Sequence, residues 1–281
     1  MTLPGLPYVV VDMTSLRKPD EIDPLIDEYD RSGQRIMMPF HARYELLKGD
    51  VSTWTTSMRL LSKRPDVVSV ALERGVLLEK EQGDFRVLIN VDDADGTSGL
   101  RNYLRAMQAR VPDETIWSAL RHDAHASQRL VREERFADLF RLIKWSHDPG
   151  KDTHLMRKDL GRPRWDHTRF RRMLADSVTT DSLRQALEAS DAMSAATAMR
   201  LVAFPSIAAL DMLTTLAISA YRQLLGTNNT EDLEHDGCDA EAIVIALYGR
   251  DLRTGDKLTR RLYEDVKGLA ASLWPSTIAP A

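Results

Sequence analysis

Cysteine and long apolar runs are both scarce in this sequence of 281 residues. Cys238 is the only cysteine, so neither an intrachain disulfide nor a zinc site built from several cysteines can form. The apolar stretch 207–218 is interrupted by Asp211 and is too short to cross a bilayer. The N-terminus has no basic region followed by an apolar one, so it does not resemble a secretory signal. We therefore expect a cytoplasmic protein that does not span a membrane.

The composition is typical of a globular protein with a packed core, because 43% of the residues are hydrophobic and 28% are charged. The sequence has no internal repeat and no low-complexity tract. Its net charge of −4 argues against nucleic-acid binding by the whole surface, although a local basic patch is compatible with that balance.

One segment, residues 141–172, is strongly basic. It carries ten basic and four acidic residues, a net charge of +6, and Trp145, Trp165 and Phe170 lie among its arginines. Basic and aromatic side chains together suit a nucleic-acid groove, through phosphate contacts and base stacking. A solvated helix face, or arginines paired with the acidic remainder of the chain, is the alternative. The residues predicted to contact nucleic acid are Arg164, Arg169, Arg171 and Arg172.

The two ends of the chain show an α/β pattern. Apolar runs predict strands at 7–11, 36–38 and 67–71, and helical periodicity predicts the intervening helices at 20–32, 42–48 and 52–62. Gly33 is the expected C-cap of the first of these helices. After a strand-like run at 85–91 and a turn at 92–96, the pattern is mostly helical up to residue 225. Pro205 is expected to break the helical stretch 194–225 into two pieces.

The C-terminal part returns to the α/β pattern after a linker at 226–230. It predicts a helix at 239–247, a short strand at 251–254 and a closing helix at 258–273. We therefore expect an α/β domain with a short parallel sheet, formed by residues 1–84 and 231–281 and interrupted by a mainly helical insertion, residues 85–230.

Four acidic residues fall at or near the ends of these predicted elements: Asp12, Glu45, Asp239 and Asp256. In an open parallel sheet, functional groups gather outside the carboxyl ends of the strands. Neighbouring carboxylates repel each other unless a cation holds them together or one takes up a proton. The pattern predicts a site for divalent metal, and the place of Asp239 at a helix N-terminus should favour its ionised form.

Four blocks of the sequence resemble the PIN-domain nucleases, a family of metal-dependent ribonucleases. They are the apolar run that ends in Asp12 and is followed by Thr14, the block 39–49 with Glu45, the helix that begins at Asp239, and the block 252–256 that ends in Asp256. The chain is about twice the usual size for the family. Arg253 also occupies a strand position that the family usually fills with an apolar side chain.

The resemblance implies a three-layer α/β/α fold and hydrolysis of RNA rather than DNA at a Mg²⁺ or Mn²⁺ site. The four acids would bind the metal and carry the catalysis, and Thr14 and Thr254 would support them. Asp236 would be a fifth ligand or a substitute for Asp239. An inhibitor or partner protein is also compatible with this family.

The sequence leaves two other functional interpretations open. A haloacid-dehalogenase-type phosphatase also begins with a strand-end Asp, but it needs Asp-x-Asp, and here the third position is Thr14. A PIN-like scaffold without activity could bind RNA or a protein through its helical insertion. The apolar stretch 193–216 predicts a buried helix pair, with an interface in a homo-oligomer as the alternative.

Overall fold

The computed structural model describes residues 8–48, 50–83, 90–109, 118, 172, 174–190, 193–225, 230–249 and 251–275. It shows a mixed α/β protein with a small parallel sheet and many helices. The strand predicted at 85–91 lies mostly outside the described residues.

The sheet has four parallel strands in the order β3-β2-β1-β4. The strands are β1 (Tyr8–Val11), β2 (Arg35–Met38), β3 (Val68–Val70) and β4 (Leu252–Arg253). Every residue of β1 is buried, as is usual for a strand inside a parallel sheet. Because β4 pairs with β1, the first and last strands of the chain lie side by side at one end of the sheet.

The helices cover both faces of this sheet. In the first part of the chain they are α1 (Met13–Leu16), α2 (Pro19–Ser32), α3 (Phe40–Lys48), α4 (Val51–Ser62), α5 (Arg74–Gly83) and α6 (Ala94–Ala109). In the second part they are α7 (Thr180–Ser190), α8 (Ala195–Val202), α9 (Ile207–Leu225), α10 (Thr230–Tyr248) and α11 (Lys257–Leu273). The helix α2 ends at Gly33, whose φ of 67° confirms the predicted C-cap.

Alternate residues of β1 face two separate hydrophobic cores, since successive side chains of a strand point to opposite faces. Val9 and Val11 pack with apolar residues of α2, α4 and α6. Tyr8 and Val10 pack with apolar residues of α5 and of α7 to α11. The described helices between residues 90 and 225 therefore contribute to both cores together with the sheet. The division into an α/β domain (1–84 and 231–281) and an insertion (85–230) stays a prediction.

The break predicted at Pro205 is confirmed, because α8 ends at Val202 and α9 begins at Ile207. Glu81 of α5 is buried against this break. Its two carboxylate oxygens accept the backbone N–H groups of Ile207 over 2.6 Å and Ala208 over 2.8 Å. Burial raises the pKa of Glu81 to about 7, although these two hydrogen bonds act in the opposite direction.

No single described helix has the length and apolarity of a membrane span. The helix α8 and the first part of α9 reach that length and apolarity only together, as a pair bent by 86°.

Two predicted boundaries are wrong. Within the turn predicted at 92–96, residues 94–96 are the start of α6, and Asp93 Oδ1 accepts the backbone N–H of Gly96 over 2.9 Å. The helix predicted to begin at Asp239 begins nine residues earlier, at Thr230. The stretch before Asp239 is too polar to show apolar periodicity, so its helical state could not be recognised from the sequence pattern.

Candidate functional site

Asp12 lies directly after β1, at the carboxyl edge of the sheet. Its backbone N–H donates to the carbonyl oxygen of Arg253 over 3.0 Å, which places it beside the end of β4. The side chain is buried and caps α1, since Oδ1 accepts the backbone N–H of Thr14 over 2.7 Å. The strand pairing thus brings the first predicted acid next to the block that carries the last one.

Two threonine hydroxyls hold the second carboxylate oxygen of Asp12. Thr14 Oγ1 donates to Oδ2 over 2.8 Å, and Thr254 Oγ1 donates to the same oxygen. Each hydroxyl also accepts a backbone N–H, Thr14 from Gly255 over 2.9 Å and Thr254 from Asp256 over 3.0 Å. This network fixes the orientation of the Asp12 carboxylate and joins the two ends of the chain.

Asp256 is exposed and caps α11. Its Oδ1 accepts the backbone N–H groups of Leu258 over 2.6 Å and Thr259 over 3.0 Å. Within the described part of the chain, no hydrogen bond uses Oδ2 of Asp256. The capping role therefore leaves one carboxylate oxygen for a ligand.

Asp239 lies within α10, half-buried, and the predicted helix-dipole effect is wrong because the helix N-terminus is nine residues away. Burial, followed by the negative charge of Asp12, raises the pKa of Asp239 to about 8. Asp236, three residues earlier and buried, and Asp256 raise it further, while a hydrogen bond to Thr259 lowers it. Asp12, Asp236 and Asp256 are therefore all close enough to Asp239 to repel its carboxylate.

Glu45 lies in α3, as the sequence predicts, but its side chain is outside the described part of the structure. Of the predicted nucleic-acid contacts, Arg172 is helical and exposed, whereas Arg164, Arg169 and Arg171 lie outside the described residues. Contact of these arginines with nucleic acid stays a prediction.

The donor chemistry of this cluster fits Mg²⁺ or Mn²⁺, because carboxylate and hydroxyl oxygens are the ligands that hard cations prefer. The raised pKa of Asp239 also shows a repulsion that a bound cation would relieve. Among the side chains that the structure describes, no group of three or more His, Cys, Asp or Glu residues could by itself hold a metal ion. Glu45 is not among those side chains.

The sequence pattern did not reveal a buried pair beside this cluster, His41 and Glu241. Glu241 Oε2 accepts the backbone N–H of His41 over 3.1 Å and lies 2.6 Å from its ring Nδ1. Both side chains are buried. The pair joins α3, which carries Glu45, to α10, which carries Asp239. The two residues are 200 positions apart, so no local pattern could have paired them.

Replacing Glu241 by Gln is expected to lower the free energy of unfolding by about 2 kcal/mol, since it removes a buried charge-assisted contact. Urea denaturation measures this change. The matched control is Asp23→Asn, which breaks the exposed pair between Asp23 and Lys63 and should cost below about 1 kcal/mol. Equal losses in the two variants would contradict a structural role for the buried pair.

Comparisons with protein-family models, with curated proteins and with solved structures give no match to this chain.

Proposed function

We propose that this protein is a PIN-like, metal-dependent nuclease that hydrolyses phosphodiester bonds in RNA. The observation that carries the proposal is the convergence of Asp12, Asp239 and Asp256, from the two ends of the chain, at the carboxyl edge of the sheet. Burial and the charges of the neighbouring carboxylates raise the pKa of Asp239, and strongly perturbed carboxyl groups are concentrated at functional sites.

Several features support the PIN-like assignment within this proposal. The strands are parallel, the chain ends pair as β1 and β4, and acids follow both strands. Thr14 and Thr254 both contact Asp12, the first of the acids. Arg253, the residue that departs from the family pattern, is partly exposed on β4, at one end of the described strand order.

Asp12, Glu45, Asp239 and Asp256 would hold Mg²⁺ or Mn²⁺, with Asp236 as a further ligand or a substitute for Asp239. When bound, such an ion polarises the scissile phosphate and lowers the pKa of a coordinated water. The Thr14 and Thr254 hydroxyls keep the Asp12 carboxylate in one orientation, as supporting hydrogen bonds do at other metal sites.

RNA is the proposed substrate, with the basic segment 141–172 as the surface that binds it. The cytoplasmic location, a homo-oligomer and an inhibitor or partner protein belong to the same proposal and rest on the sequence. A scaffold without activity is the second candidate function. The absence of a sufficient metal-binding group among the described side chains favours it.

The wild-type chain is expected to cleave end-labelled single-stranded or structured RNA in the presence of Mn²⁺ or Mg²⁺ and not in the presence of EDTA. Gel electrophoresis of the products checks this, with single-stranded DNA of the same sequence as a comparison. Binding of RNA without cleavage in either metal would favour the scaffold. Equal cleavage with EDTA would contradict a metal-dependent reaction.

A further inference from the structure

A lysine lies beside the carboxylate cluster, and its ion pair within the described part of the chain is with Glu21, outside that cluster. Lys18 is the residue before α2, and its Nζ lies 2.9 Å from Oε1 of Glu21. Both side chains are about half exposed, at 48% and 46%. An exposed pair of this kind contributes little to stability, so the ammonium group can exchange Glu21 for another anion.

The Lys18 ammonium group lies close to Gly255, which stands in the loop between Thr254 and Asp256. A Cβ atom on Gly255 would lie 2.5 Å from Lys18 Nζ, 3.1 Å from Lys18 Cε and 3.5 Å from Thr14 Oγ1. The ammonium group and the Thr14 hydroxyl therefore flank the same point. The hydroxyl donates to Asp12 over 2.8 Å, so the ammonium group lies at the border of the carboxylate cluster.

Space, and not backbone conformation, accounts for the glycine at position 255. Gly33 is the one glycine with positive φ in the described part of the chain, so Gly255 adopts a backbone conformation that other residues tolerate. A side chain at 255 would meet the end of the flexible Lys18 side chain, which would have to shift. The glycine thus leaves room for the present position of the ammonium group, next to the residues that would hold a metal ion.

We propose that Lys18, from its position beside Gly255, binds a phosphate group of the nucleic-acid strand next to the scissile bond. This inference rests on the proposed nuclease function. Metal ions at this site would contact the carboxylates and the scissile phosphate. The neighbouring phosphate would therefore need a separate positive group to bind it. Lys18 supplies this charge as a point cation, without reading the base sequence.

Binding of a fluorescein-labelled oligoribonucleotide to the full chain tests the proposal, by fluorescence anisotropy between 50 and 200 mM salt with Ca²⁺ in place of Mg²⁺. The variants are Lys18→Met, Lys18→Arg and Gly255→Ala. The matched control is Lys63→Met, because Lys63 also forms an exposed ion pair, with 51% and 44% of the two side chains exposed. Lys63 precedes β3 and so lies toward the opposite edge of the sheet.

Lys18→Met is expected to weaken binding about three- to tenfold and to reduce the slope of log K against log salt by roughly 0.7, the loss of one phosphate contact on a single strand. Gly255→Ala displaces only the end of a flexible side chain and should weaken binding less than Lys18→Met does. Lys18→Arg should retain most of the affinity, and Lys63→Met should match the wild type. Thermal melts of each variant check that the fold is retained.

Suppose that the wild-type chain cleaves RNA and that the salt slope of Lys18→Met equals that of Lys63→Met. This result would overturn the role of Lys18 and leave the nuclease proposal intact. A wild-type chain that neither binds nor cleaves RNA would overturn both proposals together.

Discussion

Asp12→Asn is expected to lower the rate of RNA cleavage by at least about a thousandfold, equivalent to about 4 kcal/mol of transition-state stabilisation. Asp12 is the member of the cluster that is held most firmly, by one backbone N–H and two threonine hydroxyls. Asn keeps the shape of the side chain and one carbonyl oxygen for the Thr14 N–H. It loses the negative charge that a divalent cation needs.

The fold should tolerate this replacement, because the Thr14 and Thr254 hydroxyls can accept from the Asn amide as well as donate. The matched control is Asp50→Asn. Asp50 caps α4 in a similar way, accepting the backbone N–H of Thr53 over 2.8 Å and its hydroxyl over 3.1 Å. Single-turnover cleavage with Mn²⁺ measures both variants. Near-wild-type cleavage by Asp12→Asn, or an equal loss in Asp50→Asn, would remove Asp12 from the catalytic group.

Asp239 should make folding stability depend on pH in the absence of divalent cations. Its pKa in the folded protein is raised from 3.8 to about 8, so the folded state binds its proton more tightly than the unfolded state does. The contribution is fully present below about pH 4 and is lost as the pH rises through 8. Stability in EDTA should therefore fall between these values.

Asp239→Asn should remove this dependence and make the protein more stable than the wild type by about 2 kcal/mol at pH 8.5 in EDTA, with little difference near pH 4. Urea denaturation across the pH range measures both chains. Glu81, whose pKa is raised to about 7, acts in the same direction. Only the difference between the two chains therefore reports on Asp239, and Glu81→Gln is the control that leaves this difference unchanged.

Mn²⁺ should reverse the order of the two chains. At a concentration of about 100 times its Kd, an ion that binds only the folded state adds about 2.7 kcal/mol, and this gain should be larger for the wild type than for Asp239→Asn. Equal gains in the two chains would show that Asp239 does not contribute to cation binding.

Local elements were predictable because neighbouring residues determine them. The periodicity of α2 and the glycine after it marked a helix and its end, and the apolar run of β1 marked a buried strand. Asp12 was recognisable as a strand-end acid for the same reason. In contrast, α10 begins in a polar stretch without apolar periodicity, so the place of Asp239 within its helix was predicted wrongly.

The sequence by itself determined most of the strands and helices at the chain ends, and which acids follow them. Tertiary structure decided which residues meet: the pairing of β4 with β1, the Thr254 hydroxyl on Asp12, the His41–Glu241 contact and the approach of Lys18 to Gly255. The physical reason is distance along the chain. Caps and periodicity act within one or two turns, whereas these contacts join residues about 200 or more positions apart, which only the packing of the sheet and helices brings together.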